Sequence, residues 1–270
     1  MKKFEGMLFC TDLDGTLYSD DKTVSRENLD AIEYFKENGG LFTFITGRVP
    51  QTAGEMVKLI RPNAPYGCVN GGGIYDHVNN KYIWNMTLQG EFIDIIREID
   101  KRLPEIGIQF NTEKAVYFNK YNNVMVRFRE ITGLPDIACH FEEVNEPVLK
   151  VVFSYDDEKY LYKLKELIAD HPYGSMFDYT RADKELYEIL PKNASKGNLL
   201  LKMAEILNIE KTRTVAVGDY NNDVSLLNSA HYSFAVRNAV PEALAAAKKI
   251  TVSNNENAIA VIISELDKEI

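Results

Sequence analysis

The sequence predicts an α/β fold in which a parallel sheet interleaved with helices is interrupted by an inserted α+β domain. Short apolar runs alternate with amphipathic helical patterns at both ends of the chain, which is typical of a parallel sheet with right-handed crossovers. Three of these runs end in polar loops, at Asp12, Thr46 and Asp219. Between residues 83 and 188 the pattern becomes helix, strands, helix, strands, which favours a separate α+β layer.

The N-terminal part contains three predicted strands and two predicted helices. The apolar run at residues 7–10 leads directly into the sequence Asp-Leu-Asp-Gly-Thr at residues 12–16. Ser25 is expected to cap a helix that ends at the glycine pair 39–40. The run at 41–45 is the second strand, and Pro50 begins the next helix. The third strand, at 67–69, is closed by Asn-Gly-Gly-Gly at 70–73, which we interpret as a turn.

The middle of the chain predicts two helices and an antiparallel sheet. Apolar residues recur at helical spacing around 92–99 and again around 161–168. Strands are predicted near 108–110, 115–118, 149–154, 175–179 and 185–190. We therefore expect an inserted domain at 83–188, flanked by the two halves of the parallel domain at 1–82 and 189–270.

The parallel pattern returns after the insertion. Lys196 lies in the first turn of a predicted helix, and the run at 214–217 is another buried strand. That strand ends in the acidic sequence Gly-Asp-Tyr-Asn-Asn-Asp at 218–223. A strand at 234–236, an Ala-rich helix that begins at Pro241, a short strand at 250–252 and a helix from 257 to 266 complete the predicted fold.

Composition and charge exclude several classes of protein. The 270 residues carry a net charge of −9, which argues against a nucleic-acid footprint and against an anionic membrane surface. No apolar run approaches the roughly 20 residues of a membrane span, and the N-terminal sequence does not resemble a signal peptide. The three cysteines have no metal-binding spacing, so we expect them to be reduced. These features predict a cytoplasmic protein.

Acidic residues gather where the predicted sheet would bind a ligand. Because the carboxyl ends of parallel strands meet at one edge, we expect Asp12, Asp14 and Asp219 to converge there. Three carboxylates would repel one another unless a cation bound between them, and hard oxygen ligands suit Mg²⁺. The alternatives are an Asp-rich turn that ends the first strand and a capping loop before the helix after residue 223.

Candidate phosphate-binding residues are expected at the same edge of the sheet. The hydroxyl of Thr46 and the amide of Gly47 form a neutral donor pair for phosphate oxygens. Lys196 lies beside a helix N-terminus, which itself favours anions. Asp223 is expected to tie Lys196 or a metal-bound water into the site. For Lys196 the alternative is an ordinary solvated lysine, and for Thr46 it is a threonine at a strand end.

The order of these motifs resembles that of the haloacid dehalogenase-like phosphohydrolases, which have a Rossmann-like core. The long insertion resembles the C2-type cap of the Cof-like sugar-phosphate phosphatases. The resemblance implies that Asp12 is the nucleophile and that Asp14 is the general acid/base. It also implies that Asp12, the backbone carbonyl of Asp14 and Asp219 hold Mg²⁺, and that the phosphoryl group is held by Thr46, Gly47, Lys196 and Asn222. The glycine at position 72 departs from the Asn-Gly-Ala turn of that family.

The expected function is therefore an Mg²⁺-dependent phosphatase that acts on small phosphorylated metabolites through a phosphoaspartyl intermediate. A phosphomutase of the phosphomannomutase-like branch and a non-catalytic ligand-binding protein of the same fold are the alternatives. Arg181 and Lys184, late in the insertion, are the candidates for substrate selectivity. Their alternative is a solvated loop beside a strand.

Overall fold

The computed structural model describes residues 2–270. The chain forms two compact units. The first contains the N-terminal segment up to Arg48, Ala53–Trp84 and Ser195–Ile270, and the second contains Val49–Thr52 and Asn85–Ala194. The first unit is α/β with a parallel sheet and the second is α+β with an antiparallel sheet, so the predicted fold class is confirmed.

The strands in chain order are β1 (Leu8–Thr11), β2 (Leu41–Phe44), β3 (Tyr66–Cys68), β4 (Gly73–Asp76), β5 (Lys81–Asn85), β6 (Gly107–Thr112), β7 (Val116–Lys120), β8 (Val148–Ser154), β9 (Phe177–Asp183), β10 (Leu186–Pro191), β11 (Thr214–Gly218), β12 (Tyr232–Ala235) and β13 (Lys249–Ile250). The helices are α1 (Arg26–Glu37), α2 (Pro50–Ile60), α3 (Phe92–Arg102), α4 (Asn123–Thr132), α5 (Glu158–Asp170), α6 (Lys196–Ile206), α7 (Val224–Ser229), α8 (Pro241–Ala246) and α9 (Ala258–Glu269).

The first unit is built on a parallel sheet with the strand order β13-β12-β11-β1-β2. Thr11, at the end of β1, lies opposite Val217 of β11 and Phe44 of β2. The strands β11, β1 and β2 therefore end level with one another. This register places the loops after β1, β2 and β11 at one edge of the sheet, as the sequence predicts.

Helices cover both faces of this sheet. Cys10 of β1 belongs to an apolar cluster that includes Leu199 and Met203 of α6. Phe9 points to the opposite face, where its ring meets that of Phe35 on α1 with centroids 5.7 Å apart. Burial of a large apolar side chain such as Phe9 contributes about 1.5–3 kcal/mol. Packing against helices on both faces of the sheet therefore stabilises the position of β1.

The segment after β2 contains an additional small sheet of β3, β4 and β5, which the sequence analysis missed. The prediction that residues 70–73 form only a turn is incomplete, because Gly73 already begins β4. Val69, Asn70 and Gly71 all have positive φ angles, of 57°, 50° and 112°. The glycine run predicted the turn. Gly73, the last glycine of that run, is also the first residue of β4, so the start of this strand was missed.

The second unit is an antiparallel sheet with the strand order β7-β6-β8-β10-β9. One face packs against an apolar cluster with residues from α3 and α5, as the sequence predicts. The prediction of only two helices is wrong, because α4 is a third. Its valines and phenylalanine favour a strand in isolation, whereas Asn122 caps the helix by accepting a hydrogen bond from the amide of Met125. Across residues 2–270, none of the helices combines the length and apolar character that crossing a lipid bilayer requires.

Candidate active site

Asp12 and Lys196 meet at the carboxyl edge of the parallel sheet. Asp12 follows β1 directly, and its backbone amide donates to the carbonyl of Val217 on β11. Lys196 is the first residue of α6, whose N-terminus is capped by the Ser195 hydroxyl. The Lys196 ammonium donates to Oδ1 of Asp12 and to Oδ1 of Asp223, each at 2.6 Å. The predicted lysine is therefore a buried ion-pair partner and not a solvated side chain.

Asp223 organises the loop that follows β11. Its Oδ2 accepts hydrogen bonds from the amides of Asp219 and Tyr220, at 3.0 and 3.1 Å. Its Oδ1 accepts from Lys196, so a single buried carboxylate connects this loop to α6. Asp223 is fully buried, and both of its oxygens are bonded. Asp223 therefore holds the loop after β11 next to the first turn of α6.

The carboxylates of Asp12, Asp219 and Asp223 lie close enough to share a cation. One oxygen of each lies within 4.8 Å of the others. The hydroxyl of Thr16 donates to Oδ1 of Asp219 at 2.7 Å and orients that side chain. Oxygen donors in this number and spacing are the ligands that Mg²⁺ prefers. The residues present therefore fit the predicted metal.

Burial and the neighbouring charges shift the pKa values of the ionisable groups in this cluster. Burial, and then the charge of Asp223, raise the pKa of Asp12 well above its usual range. The same two causes raise the pKa of Asp219 to about 7. Burial would lower the pKa of Lys196, but the charges of Asp12 and Asp223 outweigh it and raise the pKa. One ammonium thus faces three carboxylates, and a divalent cation would offset the remaining negative charge.

A glycine makes room for the Asp219 carboxylate. Gly15 has a φ angle of +80°, and a Cβ atom built on it would lie 2.5 Å from Oδ2 of Asp219. Any other residue at this position would be strained in the left-handed region and would also displace that carboxylate. The glycine of the Asp-Leu-Asp-Gly-Thr sequence is therefore required by a contact with a residue 204 positions later.

Asp14 is held by two cations. Its carboxylate accepts two hydrogen bonds from Arg48 and lies 3.4 Å from Nζ of Lys22. Burial would raise the pKa of Asp14, but Arg48 and Lys22 together lower it. The side chain is 45% exposed, so it is reachable from solvent. The structure therefore separates Asp14, which faces cations, from the buried cluster around Asp12.

Thr46, Gly47 and Asn222 are brought together by Asn70. The amide of Asn70 donates to the carbonyl of Thr46 at 3.1 Å. Its side-chain oxygen accepts from Nδ2 of Asn222 at 3.0 Å. A Cβ atom on Gly47 would lie 2.8 Å from the Asn70 side chain. Oδ1 of Asn222 is buried and has no hydrogen-bond partner within residues 2–270. An unmatched polar atom beside these loops fits a site that binds a polar ligand.

Arg181 and Lys184 lie in the second unit. The guanidinium of Arg181 pairs with Glu158 at 2.7 Å, and its Nη2 donates to the carbonyl of Lys184 at 2.9 Å. Arg181 is thereby tied to the N-terminus of α5 and to the turn between β9 and β10. The structure therefore brings these two candidate residues together within the second unit.

Arg48 and Asn70 belong to the site but were not predicted from the sequence. Arg48 follows Gly47 directly, and a cation next to a phosphate-binding loop was a signal that could have identified it. Asn70 was assigned only to a turn, although an asparagine before a glycine run is typical of left-handed backbone. Each of these two residues contacts a loop that is distant in the sequence, Arg48 through Asp14 and Asn70 through Asn222. Local sequence patterns do not predict contacts of this kind.

Comparisons with known proteins identify the family and the fold of this chain. A model of the family described as haloacid dehalogenase-like hydrolase matches residues 9–263. The 5-amino-6-(5-phospho-D-ribitylamino)uracil phosphatase YwtE of Bacillus subtilis (strain 168) is 28% identical over 280 residues, covering 94% of this chain and 96% of the relative. The solved structure of SMU.1108c from Streptococcus mutans UA159 has a TM-score of 0.84 at 22% identity, covering 96% of this chain and 98% of that one. The HAD subclass IIB sugar phosphatase BT4131 has a TM-score of 0.83 at 20% identity, with the same coverage. At these identities, the two structures establish a shared fold.

Proposed function

Because the chain belongs to the haloacid dehalogenase-like hydrolases and is a phosphoric monoester hydrolase, we propose that it dephosphorylates small metabolites through a phosphoaspartyl intermediate with Mg²⁺. The observation that carries the proposal is the junction of Asp12, Asp223 and Lys196. A buried ammonium lies 2.6 Å from each carboxylate, at the edge where parallel sheets bind ligands. A catalytic carboxylate that is buried and oriented in this way is suited to nucleophilic attack.

Asp12 is the nucleophile in this mechanism. Lys196 holds its Oδ1, so the carboxylate presents the other oxygen to phosphorus. A bond forms from that oxygen to phosphorus while the bond from phosphorus to the ester oxygen breaks. Asp14 acts in its protonated form, against the lowered pKa that Arg48 and Lys22 impose on it in the free enzyme, and gives that proton to the departing alkoxide. Asp14 then takes a proton from a water molecule, which attacks phosphorus, releases inorganic phosphate and restores the Asp12 carboxylate.

The metal site in this proposal consists of Asp12, the backbone carbonyl of Asp14 and Asp219, and Asp223 ties Lys196 into the same network. When bound, Mg²⁺ supplies positive charge that neutralises the phosphoryl oxygens. Thr16 keeps Asp219 oriented through its hydroxyl, as the 2.7 Å hydrogen bond indicates. The cluster of three carboxylates with one ammonium supports this assignment.

The phosphoryl group is held by the Thr46 hydroxyl, the Gly47 amide, Lys196 and the Asn222 side chain. Transfer of a phosphoryl group depends mostly on positioning and on charge stabilisation, which donors on fixed loops provide. The names of the relatives support a small phosphorylated substrate: one acts on a phosphorylated ribityl compound, and the other is a sugar phosphatase. The net charge of −9 makes a nucleic-acid or membrane partner a poor match.

We also propose that residues 83–188 form a C2-type cap that sets selectivity, with Arg181 and Lys184 as candidate contacts to the leaving group. A cap excludes water and adds contacts to the substrate without taking part in the chemical step. The division of the chain into two compact units supports this role. The proposed location is the cytoplasm.

The experiment that tests the function is a screen of the purified protein against phosphorylated metabolites, with p-nitrophenyl phosphate as a small reference substrate. We expect Mg²⁺-dependent release of phosphate from a subset of the metabolites. Asp12→Asn should abolish turnover, and trapping of the intermediate should label the wild type but not this variant. Asp14→Asn should slow hydrolysis by about 10²–10⁴-fold, and less for p-nitrophenyl phosphate, whose leaving group needs no acid.

Two results would contradict the proposal. Retention of activity by Asp12→Asn would exclude the phosphoaspartyl mechanism. A requirement for a sugar bisphosphate, with transfer of phosphate to a sugar hydroxyl in place of water, would indicate a phosphomutase. Binding of phosphorylated ligands without turnover would instead indicate a non-catalytic protein of this fold.

A further inference from the structure

A polar pocket lies in the first unit, between the loop that follows the Asp-Leu-Asp-Gly-Thr sequence and the start of α9. Its volume is about 390 Å³, and it is lined by Leu17, Ser19, Asp20, Asp21, Thr23, Ser25, Asn254, Asn255 and Asn257. None of these residues belongs to the candidate active site. Pockets that bind small molecules measure about 300–1,000 Å³, whereas a water molecule occupies only about 30 Å³. The pocket therefore has room for a small organic molecule.

Asp20 joins the two sides of this pocket. Its Oδ1 accepts a hydrogen bond from Nδ2 of Asn254 at 3.0 Å, and its Oδ2 accepts from Nδ2 of Asn255 at 2.9 Å. These two bonds lower the pKa of Asp20, so its carboxylate is charged at neutral pH. A carboxylate oxygen can accept more than one hydrogen bond, so both oxygens retain capacity for a ligand.

Asp21 adds a second carboxylate to the lining. Its Oδ1 accepts from the hydroxyls of Ser19 and Thr23 and from the amide of Thr23. Lys22 lies between the two aspartates in the sequence, but its ammonium pairs with Asp14 at 3.4 Å. Among the lining residues that the structure describes, Asp20 and Asp21 are the charged ones. The lining of the pocket is therefore negative.

Asn254 brings an unmatched acceptor to the same pocket. The residue is only 4% exposed, and its Oδ1 has no hydrogen-bond partner within residues 2–270. Its Nδ2 donates to the carbonyl of Tyr18 and to Oδ1 of Asp20, each at 3.0 Å. Turning the amide by half a turn would set an oxygen against these two acceptors, so the unmatched atom is the oxygen. A protein tolerates a buried acceptor without a partner where a ligand completes the pairing.

The chemistry of the lining selects one class of ligand. Oδ1 of Asn254 requires a hydrogen-bond donor, and the carboxylates of Asp20 and Asp21 favour positive charge. A primary ammonium group supplies both, because it has three N–H donors and a full charge. Two carboxylates favour a molecule with more than one such group. Helices α1 and α9 begin beside the pocket and their N-termini favour anions, but the two aspartates already supply that charge, so a further anion would be repelled.

The pocket is connected to the catalytic loop by Asn238. The backbone amide of Asn254 donates to Oδ1 of Asn238 at 2.9 Å, and Nδ2 of Asn238 donates to the carbonyl of Gly15 at 2.8 Å. Gly15 is followed by Thr16, whose hydroxyl orients Asp219. A ligand that holds Asn254 in place therefore also restricts the movement of Gly15.

We propose that this pocket binds a small aliphatic diamine or polyamine, and that its occupation activates the enzyme by fixing the loop around Gly15. Binding at the pocket goes beyond the proposed function and is independent of it, whereas the activation rests on it. The site lies wholly within the first unit and is separate from the residues proposed to hold the phosphoryl group and the metal.

The first test is calorimetric titration of the purified wild type with putrescine, the four-carbon diamine. We expect one site per chain with a Kd below about 1 mM. Asp20→Asn/Asp21→Asn should weaken binding by at least about ten-fold. Asp76→Asn is the matched control, because Asp76 also accepts hydrogen bonds from its own turn but lies outside the pocket. Equal affinities of the double variant and the control would overturn the inference.

A test without mutations compares ligands on the wild type. Fully N-methylated putrescine keeps both charges but has no N–H donor, and butanediol keeps two donors but has no charge. Each should bind at least about ten-fold more weakly than putrescine. Equal binding of the methylated compound would show attraction by charge alone and would exclude the role of Asn254. Excess Mg²⁺ should not displace putrescine, and displacement would show that these carboxylates hold a metal ion or that the diamine occupies the active site.

The last test measures activation. Saturating putrescine should raise kcat for p-nitrophenyl phosphate by at least about two-fold, because a fixed loop keeps the reacting groups in place. Asn238→Ala should still bind putrescine but should lose the activation. Binding without a change in kcat would overturn the regulatory role, and activation of Asn238→Ala would exclude the connection through Asn238. If the wild type binds putrescine but hydrolyses no phosphate ester, the proposed function fails and the binding site stands.

Discussion

The guanidinium of Arg48 holds the carboxylate of Asp14 by two hydrogen bonds, from Nε to Oδ2 at 3.0 Å and from Nη2 to Oδ1 at 2.8 Å. The two residues come from the loops after β2 and β1. A bidentate pair of this kind fixes direction as well as charge. The proposed general acid therefore owes its orientation to a residue beside the phosphate-binding pair of Thr46 and Gly47.

We expect Arg48→Met to slow hydrolysis of esters with poor leaving groups by about 10–100-fold, because Asp14 would lose its fixed direction. Hydrolysis of p-nitrophenyl phosphate should fall much less, since that leaving group needs little proton transfer. Arg48→Lys keeps the charge but not the planar fork, so its activity should be intermediate. Arg61→Met is the control, because Arg61 forms a 2.9 Å pair with Glu33 on the surface. An equal loss with good and poor leaving groups would argue against this role.

Activity should depend on Mg²⁺ through Asp219. Dialysis against EDTA should abolish hydrolysis, and Mg²⁺ should restore it, because one ammonium does not balance the charge of three clustered carboxylates. Asp219→Ala should raise the Mg²⁺ concentration that gives half-maximal activity by at least about ten-fold. Mg²⁺ should also raise the Tm of the wild type more than that of the variant. Ca²⁺ should substitute poorly because of its looser coordination. Full activity after EDTA treatment would exclude the metal site.

Gly15→Ala should damage both stability and the metal site. The positive φ of Gly15 costs an alanine about 1–2 kcal/mol, and its Cβ would also meet Oδ2 of Asp219 at 2.5 Å. Gly6→Ala separates the two effects, because Gly6 has a φ of +75° and nothing within 4 Å of its added Cβ. Both variants should lower Tm, but only Gly15→Ala should weaken the response to Mg²⁺. Equal Mg²⁺ responses would show that the Gly15 contact has no influence on Asp219.

Asn70→Gly should weaken binding of phosphate without unfolding the protein. Glycine adopts the left-handed conformation of Asn70 freely, so the backbone turn is preserved while the bond to Asn222 is lost. The inhibition constant for inorganic phosphate should rise by about ten-fold, and Asn70→Gly and Asn222→Ala should be non-additive. Asn208→Gly is the control, since Asn208 has a similar φ of 54° on an exposed turn. An unchanged inhibition constant would remove Asn70 from the site.

The sequence predicted those residues of the candidate site that come directly after a strand. Asp12, Thr46 and Asp219 each come after a short apolar run, and parallel strands bring such positions to one edge whatever their separation. The helical spacing of apolar residues also predicted α3 and α5 of the second unit, each of which buries a clear apolar stripe. It missed α4, whose apolar residues do not form a regular stripe and whose start depends on the Asn122 cap.

By itself, the sequence determined the order of the elements and the edge at which the acidic residues gather, because strand and helix periods are local properties of the chain. Only the tertiary structure decided that Lys196 bonds Asp12 across 184 residues and that Arg48 holds Asp14. It also decided that Gln109 and Lys150 share a buried face. These contacts depend on strand register and on side-chain direction, and a shift of one residue would turn every side chain of a strand to the other face.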